Sequence, residues 1–212
     1  LLFRVLKEQA DMPRYLSIWL PFLVAERTIK LRPALKTAPF AISVSERGRM
    51  LIKAPGPEAV NKRIFAGMAV ADARAILPEL QVFSYQQGME EKLINALALW
   101  CLRFTPVAAP DFPDGLLLDI SGCPHLWGGE QSYLDAIVIR LRKGGYTAKA
   151  AIADTIGAAW AVARYGKEER IVPPGRQAEA LSSLPPAALR LDAFLKERLQ
   201  KLGLDRKSTR LN

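Results

Sequence analysis

Carboxylates flank the apolar run that opens the stretch GLLLDISGCPHLWGGE, from Gly115 to Glu130. Asp114 precedes the run and Asp119 ends it. Carboxylates beside a buried strand are the ligands that enzymes use to hold Mg²⁺ for phosphoryl transfer. Side chains alternate between the faces of a strand, so two residues five apart on one regular strand point to opposite sides. We therefore interpret Asp119 as a strand-end residue that bonds the backbone of the SGC turn, and not as the partner of Asp114.

The other residues that could do chemistry are few. The chain has one histidine, His125, and two cysteines, Cys101 and Cys123, which form no C-x-x-C pair, so no zinc set can be assembled. His125 has no nucleophile context and is predicted to be a turn residue. The WGGE segment predicts a glycine-capped helix start with Glu130 in its first turn.

Composition indicates a folded, basic protein; charge of this sign suggests a polyanionic partner, although many basic proteins have none. Half of the 212 residues are hydrophobic and the formal net charge is +9, which favours one or two domains and an encounter with nucleic acid. The sequence lacks an apolar run long enough to cross a membrane, and we expect a cytoplasmic protein. We also expect that Met12 is the true start, that residues 1–11 are upstream translation, and that residues 205–212 are a non-native tail.

Apolar periodicity predicts alternating strands and helices. Strands are predicted at Tyr15–Leu20, Phe40–Ser45, Met50–Lys53, Gln81–Tyr85, Asp114–Ile120 and Gly145–Ile152. Helices are predicted after Pro21, near Ala59–Phe65, before Pro78, and at Gly88–Phe104, Gly129–Lys143 and Gly157–Tyr165.

This order of elements indicates the α+β class. From Gln81 onward, strands and helices alternate as they do in a ferredoxin-like sheet with helices on one face, and the first strand of the chain would complete that sheet. Phe40–Ser45 and Met50–Lys53 flank ERGR and predict a hairpin. After Gly166 a charged, proline-bearing segment leads to Pro185–Leu204, where we expect two short helices.

Four separated motifs resemble one family. YLSIWLP, GMAVADARAILPEL, GLLLDISGCPHLWGGE and AIADTIGAAWAVARY occur in the order seen in the Y-family (UmuC/DinB-like) translesion DNA polymerases, and the chain most resembles their divergent ImuB-like branch. The resemblance implies a ferredoxin-like palm from residues 12–25 and 85–165, an inserted fingers unit at 26–84, and the start of a helix-hairpin-helix thumb at 166–204.

The resemblance also implies where metal ions would bind. Active members hold two Mg²⁺ ions with an aspartate from the first strand and an adjacent Asp-Glu pair from the central strand. The matching positions here are Trp19, Asp114 and Gly115, in that order. A slip of one or two residues would bring Asp111 into this set. Because only Asp114 of the three is acidic, the resemblance implies no catalytic residues, no bound metal and no cofactor, with Mg²⁺ expected only if the protein is an active polymerase with a displaced site.

The positions that contact the triphosphate in active members have also changed. They correspond to Pro57 and Val60 in the fingers and to Ile156 and Trp160 on the last palm helix, none of which is charged. An incoming nucleotide would therefore lack a counter-charge.

The resemblance implies a DNA repair protein of damage-induced mutagenesis, as in the SOS response. We expect it to bind primer-template DNA without catalysis and to recruit an error-prone polymerase and the sliding clamp through regions that this chain lacks. The alternatives are an active translesion polymerase with a displaced metal site and a protein-interaction scaffold that does not bind DNA. A set of basic residues in the fingers and thumb regions and at the end of the last palm helix is predicted to contact phosphates. It consists of Lys62, Arg63, Arg164, Lys167, Lys196, Arg198 and Lys201.

Overall fold

The computed structural model describes residues 13–167 and 170–191, together with 195, 198 and 201. These residues form two compact units. The first unit contains residues 13–19, 94–141 and the described residues from 148 onward, and the second contains residues 20–93 and 142–147. Each unit has a sheet of its own.

The strands are β1 Tyr15–Trp19, β2 Phe40–Glu46, β3 Arg49–Pro55, β4 Gln81–Ser84, β5 Val107–Asp111, β6 Gly115–Asp119 and β7 Lys149–Ala153. The α-helices are α1 Leu23–Leu31, α2 Pro57–Asn61, α3 Val70–Ile76, α4 Met89–Cys101, α5 Glu130–Lys143, α6 Ile156–Tyr165 and α7 Gln177–Ser182. Short 3₁₀ segments lie at Pro33–Lys36, Pro124–Trp127 and Pro186–Leu189. Among the described residues, no helix combines the length and the apolar character needed to cross a bilayer.

The first unit is built on an antiparallel four-stranded sheet with the order β5-β6-β1-β7. Residues alternate along β1, so Leu16 and Ile18 point to one face, where both are fully buried. Ser17 and Trp19 point to the other face, on which α6 packs against β1 and β7. Alanines dominate that contact, and their small side chains allow the helix to approach the sheet closely.

Both edges of this sheet have a distinctive backbone. Beyond β7, the chain bonds back to the strand: Ile152 N donates to Arg170 O and Val172 N donates to Ile152 O, each at 2.8 Å. At the opposite edge, β5 contains Pro110, which has no N–H to offer to a further strand.

A buried arginine connects several elements of the first unit. Arg14 is 7% exposed, and its guanidinium lies 2.6 Å from Glu130 Oε1 at the start of α5 and 2.5 Å from Asp154 Oδ1 after β7. Arg14 also donates to the carbonyl of Val172, at 3.0 Å. Burial by itself lowers the pKa of Arg14, but the hydrogen bonds to Glu130 and Asp154 outweigh it, so the pKa is raised.

The second unit contains a three-stranded sheet with the order β3-β2-β4. β2 and β3 form an antiparallel hairpin whose turn residues, Arg47 and Gly48, have φ values of 49° and 75°. Two successive positive φ values define a turn that matches the twist of the flanking strands, which is why glycine is suited to the second position. The predicted hairpin is confirmed.

The structure confirms the α+β class and corrects several elements. Gln81–Ser84, expected in the sheet of the first strand, instead pairs in parallel with β2 in the second unit. The helix expected near Ala59–Phe65 spans Pro57–Asn61, because Arg63 adopts a positive φ of 65° that ends a right-handed helix. The helix α7 was not predicted. Of the two helices expected at Pro185–Leu204, the described residues show a 3₁₀ turn at Pro186–Leu189, and most of the remainder lies outside them.

Candidate functional site

The sheet register brings together the positions that the resemblance assigns to the metal site. Trp19, the last residue of β1, is the cross-strand partner of Gly115, the first residue of β6. Asp114 directly precedes β6 and therefore lies at the same end of the strand pair. Since Asp114 stands outside the regular strand, side-chain alternation along β6 does not determine on which face it lies relative to Asp119.

Trp19 and Asp114 contact each other through their side chains. The indole Nε1 of Trp19 donates a hydrogen bond to Asp114 Oδ2 at 2.8 Å. An indole nitrogen is a donor only and cannot bind a cation. At the position that the resemblance assigns to a metal-binding aspartate, this chain thus has an indole that donates a hydrogen bond to a carboxylate oxygen of Asp114.

Arg164, in the last turn of α6, bridges the two carboxylates of this region. Its Nη2 lies 3.0 Å from Asp114 Oδ1 and 3.3 Å from Asp111 Oδ2. Asp111 also accepts a hydrogen bond from Arg190 Nη2 at its other oxygen, Oδ1, at 2.5 Å. The side chains of Arg164 and Asp111 are 10% and 7% exposed, so water screens this pair little.

Indole rings and cations alternate across the same site. The Arg164 guanidinium carbon lies 4.4 Å from the ring centroid of Trp160 and 5.9 Å from that of Trp19. Arg190 lies 4.9 Å from the Trp160 ring, and the Lys149 ammonium lies 5.4 Å from the Trp19 ring. Each cation is within the range in which an aromatic face attracts positive charge, so the rings hold the guanidinium groups beside the carboxylates.

Gly115 is needed for close approach. A Cβ at this position would lie 2.8 Å from Arg164 Nη2 and 2.9 Å from Asp111 Oδ2. Both distances are shorter than van der Waals contact allows, so any larger residue would displace one of these two groups. The space that a glutamate side chain would need at position 115 is therefore taken by the guanidinium of Arg164.

The residues present do not fit a two-metal centre. Such a centre needs several carboxylate oxygens directed at the ions, and three of the four carboxylate oxygens of Asp111 and Asp114 bond to guanidinium groups, while the fourth bonds to the indole. Nowhere in the described part of the chain do three or more His, Cys, Asp or Glu side chains group in a way that could hold a metal ion.

The four residues at the triphosphate-contact positions provide no positive charge. Pro57 opens α2 in the second unit and Val60 lies within it. Ile156 begins α6 and is 40% exposed, while Trp160 is 9% exposed and contacts Arg164. Their assignment to a nucleotide site stays a prediction.

Two smaller predictions are confirmed. Asp119 Oδ1 accepts hydrogen bonds from the backbone nitrogen and the hydroxyl of Ser121, at 3.0 and 2.6 Å, as expected of a strand-end turn. Gly129, with φ 104°, precedes α5, which begins at Glu130. His125 lies exposed in the 3₁₀ segment Pro124–Trp127.

The predicted phosphate contacts differ in their accessibility. Lys62 and Arg63 are exposed in the second unit, and Lys167, Arg198 and Lys201 are exposed in the first. Lys196 lies outside the described residues. Arg164 is enclosed and has carboxylate partners where a phosphate contact was expected. The role of the whole set stays a prediction.

Sequence reasoning missed Arg190 and the part played by Asp111. Asp111 was considered only as an alternative metal ligand, and Arg190 lies 79 residues further along the chain. Neither a motif nor a periodicity connects residues this far apart. Three isolated cues were present: an aspartate ending a strand, an arginine in the last turn of a helix, and a glycine where a larger residue was expected.

Fold comparison defines the class of protein. The chain superimposes on DinB from Sulfolobus solfataricus with a TM-score of 0.70 at 17% identity, covering 91% of this chain and 58% of that one. It superimposes on an insertion ternary complex of Dbh DNA polymerase with a TM-score of 0.72 at 18% identity and the same coverage. The fold is therefore that of the palm and fingers of Y-family DNA polymerases.

Sequence comparison gives the family. The impB/mucB/samB family matches residues 18–164, and the chain belongs to that family. It is 48% identical over 143 residues to the protein ImuB of Caulobacter vibrioides (strain NA1000 / CB15N), covering 68% of this chain and 31% of the relative. It is 28% identical over 182 residues to DNA polymerase IV 2 of Mesorhizobium japonicum, covering 82% and 42%. The chain thus spans less than half the length of these relatives, and the resemblance seen in the motifs is confirmed.

Proposed function

We propose that this chain acts in DNA damage tolerance as a non-catalytic, polymerase-shaped DNA-binding protein. It binds the phosphate backbone of primer-template DNA and works with an error-prone polymerase and the sliding clamp, through regions outside this chain, during damage-induced mutagenesis in the cytoplasm. The 48% identity to a protein named ImuB and the Y-family fold support the setting.

The observation that carries the non-catalytic part is the chemistry of the three matched positions. Trp19 and Gly115 provide no carboxylate, and Asp114 is bonded to both Trp19 and Arg164. Phosphoryl transfer by two metal ions depends on several carboxylates that position and neutralise the reacting groups. A single carboxylate that is already neutralised cannot do this.

DNA binding is supported by charge. The formal net charge is +9, and Lys62, Arg63 and Lys167 are exposed. Phosphate contacts of this kind give affinity without sequence preference, and the affinity falls steeply as salt rises. A scaffold that does not bind DNA lacks this salt dependence.

Primer extension tests the lack of catalysis. The native full-length protein is incubated with a primed template, all four nucleotides and either Mg²⁺ or Mn²⁺, with Dbh DNA polymerase as the positive control. We expect no template-dependent extension by this protein and full extension by Dbh. Extension by this protein would contradict the proposal and favour an active polymerase with a displaced metal site.

Fluorescence anisotropy tests the DNA-binding part separately. Labelled primed and single-stranded oligonucleotides are titrated with the same protein between about 50 and 200 mM salt, a range over which several phosphate contacts cost orders of magnitude in affinity. A steep loss of affinity supports DNA binding. An absence of binding at low salt would favour the protein-interaction scaffold.

A further inference from the structure

Arg164 takes up the space that another side chain would need. The nearest atom to a Cβ built at Gly115 is Arg164 Nη2, at 2.8 Å. The φ of Gly115 is not in the left-handed region, so its backbone would accept other residues, and only the neighbouring side chains prevent them. Gly115 and Arg164 are therefore sterically coupled: a larger residue at position 115 requires that the guanidinium leave.

The positive charge of Arg164 lies between the carboxylates of Asp111 and Asp114. Nη2 lies within 3.3 Å of an oxygen of Asp111 and of an oxygen of Asp114. A cation at this distance interacts strongly with the buried carboxylate of Asp111, and it also pairs with the partly exposed carboxylate of Asp114. Both carboxylates thus converge on one positive centre, as they would on a divalent metal ion.

The guanidinium is held in place by its surroundings. It projects from the last turn of α6, lies 4.4 Å from the Trp160 ring, and is only 10% exposed. Its Nη1 is buried and has no hydrogen-bond acceptor among the described residues. Within this described part of the chain, the guanidinium is therefore stabilised only through the bonds of Nη2 and the contacts with the aromatic faces. A buried N–H without an acceptor costs free energy, which the contacts of Nη2 must offset.

We propose that Arg164 is the resident cation of the Asp111–Asp114 pair and that it excludes divalent metal ions from this site. Replacing Arg164 with a neutral side chain then converts Asp111 and Asp114 into a binding site for a hard cation. Arg190 also keeps metal ions from Asp111, since it bonds to Oδ1, the oxygen that Arg164 does not contact. This inference concerns the cation site alone and holds whether or not the chain binds DNA.

Terbium luminescence tests the proposal directly, because Tb³⁺ prefers hard oxygen ligands and is sensitised by a nearby indole. Trp19 contacts Asp114 and provides that indole. The probe is Tb³⁺ alone, with Mn²⁺ as competitor, added to the full chain. We expect weak, non-saturating emission from the wild type. Arg164→Met should show saturable Tb³⁺ binding, with an affinity about tenfold or more above that of the wild type, which corresponds to at least about 1.4 kcal/mol. Combining Arg164→Met with Arg190→Met should raise the affinity further.

Arg140→Met is the matched control. Arg140 is an exposed arginine whose guanidinium lies 5.2 Å from the Trp127 ring and donates to the carbonyl of Ala136. Its removal changes the net charge by the same amount and should leave Tb³⁺ emission at the wild-type level. Equal emission from Arg140→Met and Arg164→Met would overturn the proposal, because general charge would then explain the gain.

Asp114→Asn keeps the proposal testable even if Arg164→Met does not fold. In the wild type this substitution should leave Tb³⁺ emission unchanged, since Arg164 already excludes the ion. Saturating emission from the wild type that Asp114→Asn abolishes would show that metal binds beside Arg164, and would overturn the proposal. Circular dichroism checks the folding of each variant, and a folded Arg164→Met without saturable emission would overturn it as well.

Discussion

Trp19 and Asp114 lie at the meeting point of β1 and β6, and the indole nitrogen of Trp19 is 2.8 Å from Asp114 Oδ2. This bond joins two positions that the family resemblance assigns to metal ligands. The tryptophan therefore does more than remove a carboxylate from the site, because it also donates to the aspartate that remains. In this chain, the two positions are joined by a hydrogen bond, whereas the resemblance implies that they would share a metal ion.

Trp19→Phe should destabilise the fold. The substitution keeps an aromatic ring but removes the donor, which leaves Asp114 Oδ2 without this partner; bonds to charged groups are worth about 1.5–3 kcal/mol. Because Asp114 is partly exposed, we expect the lower end of that range. Urea denaturation measures the change. Trp127→Phe is the control, since Trp127 packs against Phe104 and Tyr133, and an equal loss in both variants would contradict a specific role for the indole N–H.

Gly115→Ala should cost about 1–3 kcal/mol of the free energy of unfolding, because its Cβ would overlap Arg164 and Asp111. Gly157→Ala is the matched control: a Cβ at this position in the first turn of α6 meets nothing within 4 Å. The control should gain up to about 1 kcal/mol, since alanine favours a helix over glycine.

The double variant Gly115→Ala with Arg164→Ala tests the coupling between these two residues. Removing the guanidinium opens space for the new methyl group, so the double variant should lose less than the sum of the single losses, by about 0.5–3 kcal/mol. Urea denaturation of the four members of the cycle measures this difference. Strict additivity would mean that Arg164 does not limit the size of residue 115.

Arg14→Met should destabilise the first unit by about 3–5 kcal/mol, because it leaves the buried carboxylate of Asp154 and the partly buried one of Glu130 without their cation. Thermal and urea unfolding measure this loss. Arg176→Met is the control, since Arg176 pairs with Glu179 on the surface, where an ion pair contributes about 0–1 kcal/mol. Similar losses in the two variants would argue against a buried network.

The two cysteines should differ in reactivity. Cys101 is fully buried, and burial raises the pKa of its thiol from 9.0 to about 12, whereas Cys123 is half-buried. The thiolate is the reactive form, so at pH 8 a thiol reagent should label Cys123 in the folded protein and reach Cys101 only on unfolding. Labelling of Cys123→Ser measures Cys101 alone, and rapid labelling of that folded variant would contradict the prediction.

The same shift has a consequence for stability at alkaline pH. The folded pKa of Cys101 lies above the unfolded value, so the unfolded state loses its proton first as pH rises. The contribution of the neutral thiol is fully present below pH 9 and decreases as pH rises towards about 12. Urea denaturation of Cys101→Ala should show a smaller decrease over this interval than the wild type does.

Lys62→Gln with Arg63→Asn should weaken DNA binding and lower the slope of affinity against salt by up to about two, or one for each lost phosphate contact. Asparagine is chosen because position 63 has a φ of 65°, which asparagine tolerates. Lys36→Gln with Arg49→Gln removes the same charge from exposed positions outside the predicted set. Fluorescence anisotropy that shows the same loss in both pairs would argue against a specific surface.

Local features of this protein were predictable from sequence because their causes are local. The turn at Arg47 and Gly48 follows from the glycine between two apolar strands, and the hydrogen bonds of Asp119 follow from a short polar side chain before a turn. The partner of β4 was not predictable. Its four residues, QVFS, are too few to show a periodicity, and nothing in them indicates which sheet the strand joins.

The candidate site was predictable only in part for the same reason. The family resemblance named Trp19, Asp114 and Gly115, and the register of β1 and β6 brings them together. The contacts from Arg164 to Asp111 and from Arg190 to Asp111 join residues 53 and 79 positions apart. They depend on where α6 and the segment after Pro186–Leu189 pack, which only the three-dimensional structure specifies.

The two edges of the four-stranded sheet also affect how copies of this protein behave toward one another. An unprotected strand edge is a template for association between chains. Here residues 170–172 already use the hydrogen-bonding groups of Ile152 at one edge, and Pro110 interrupts the other. A chain cut before residue 170 would expose β7 to strand pairing, and aggregation would follow from losing a segment that looks like a linker in the sequence.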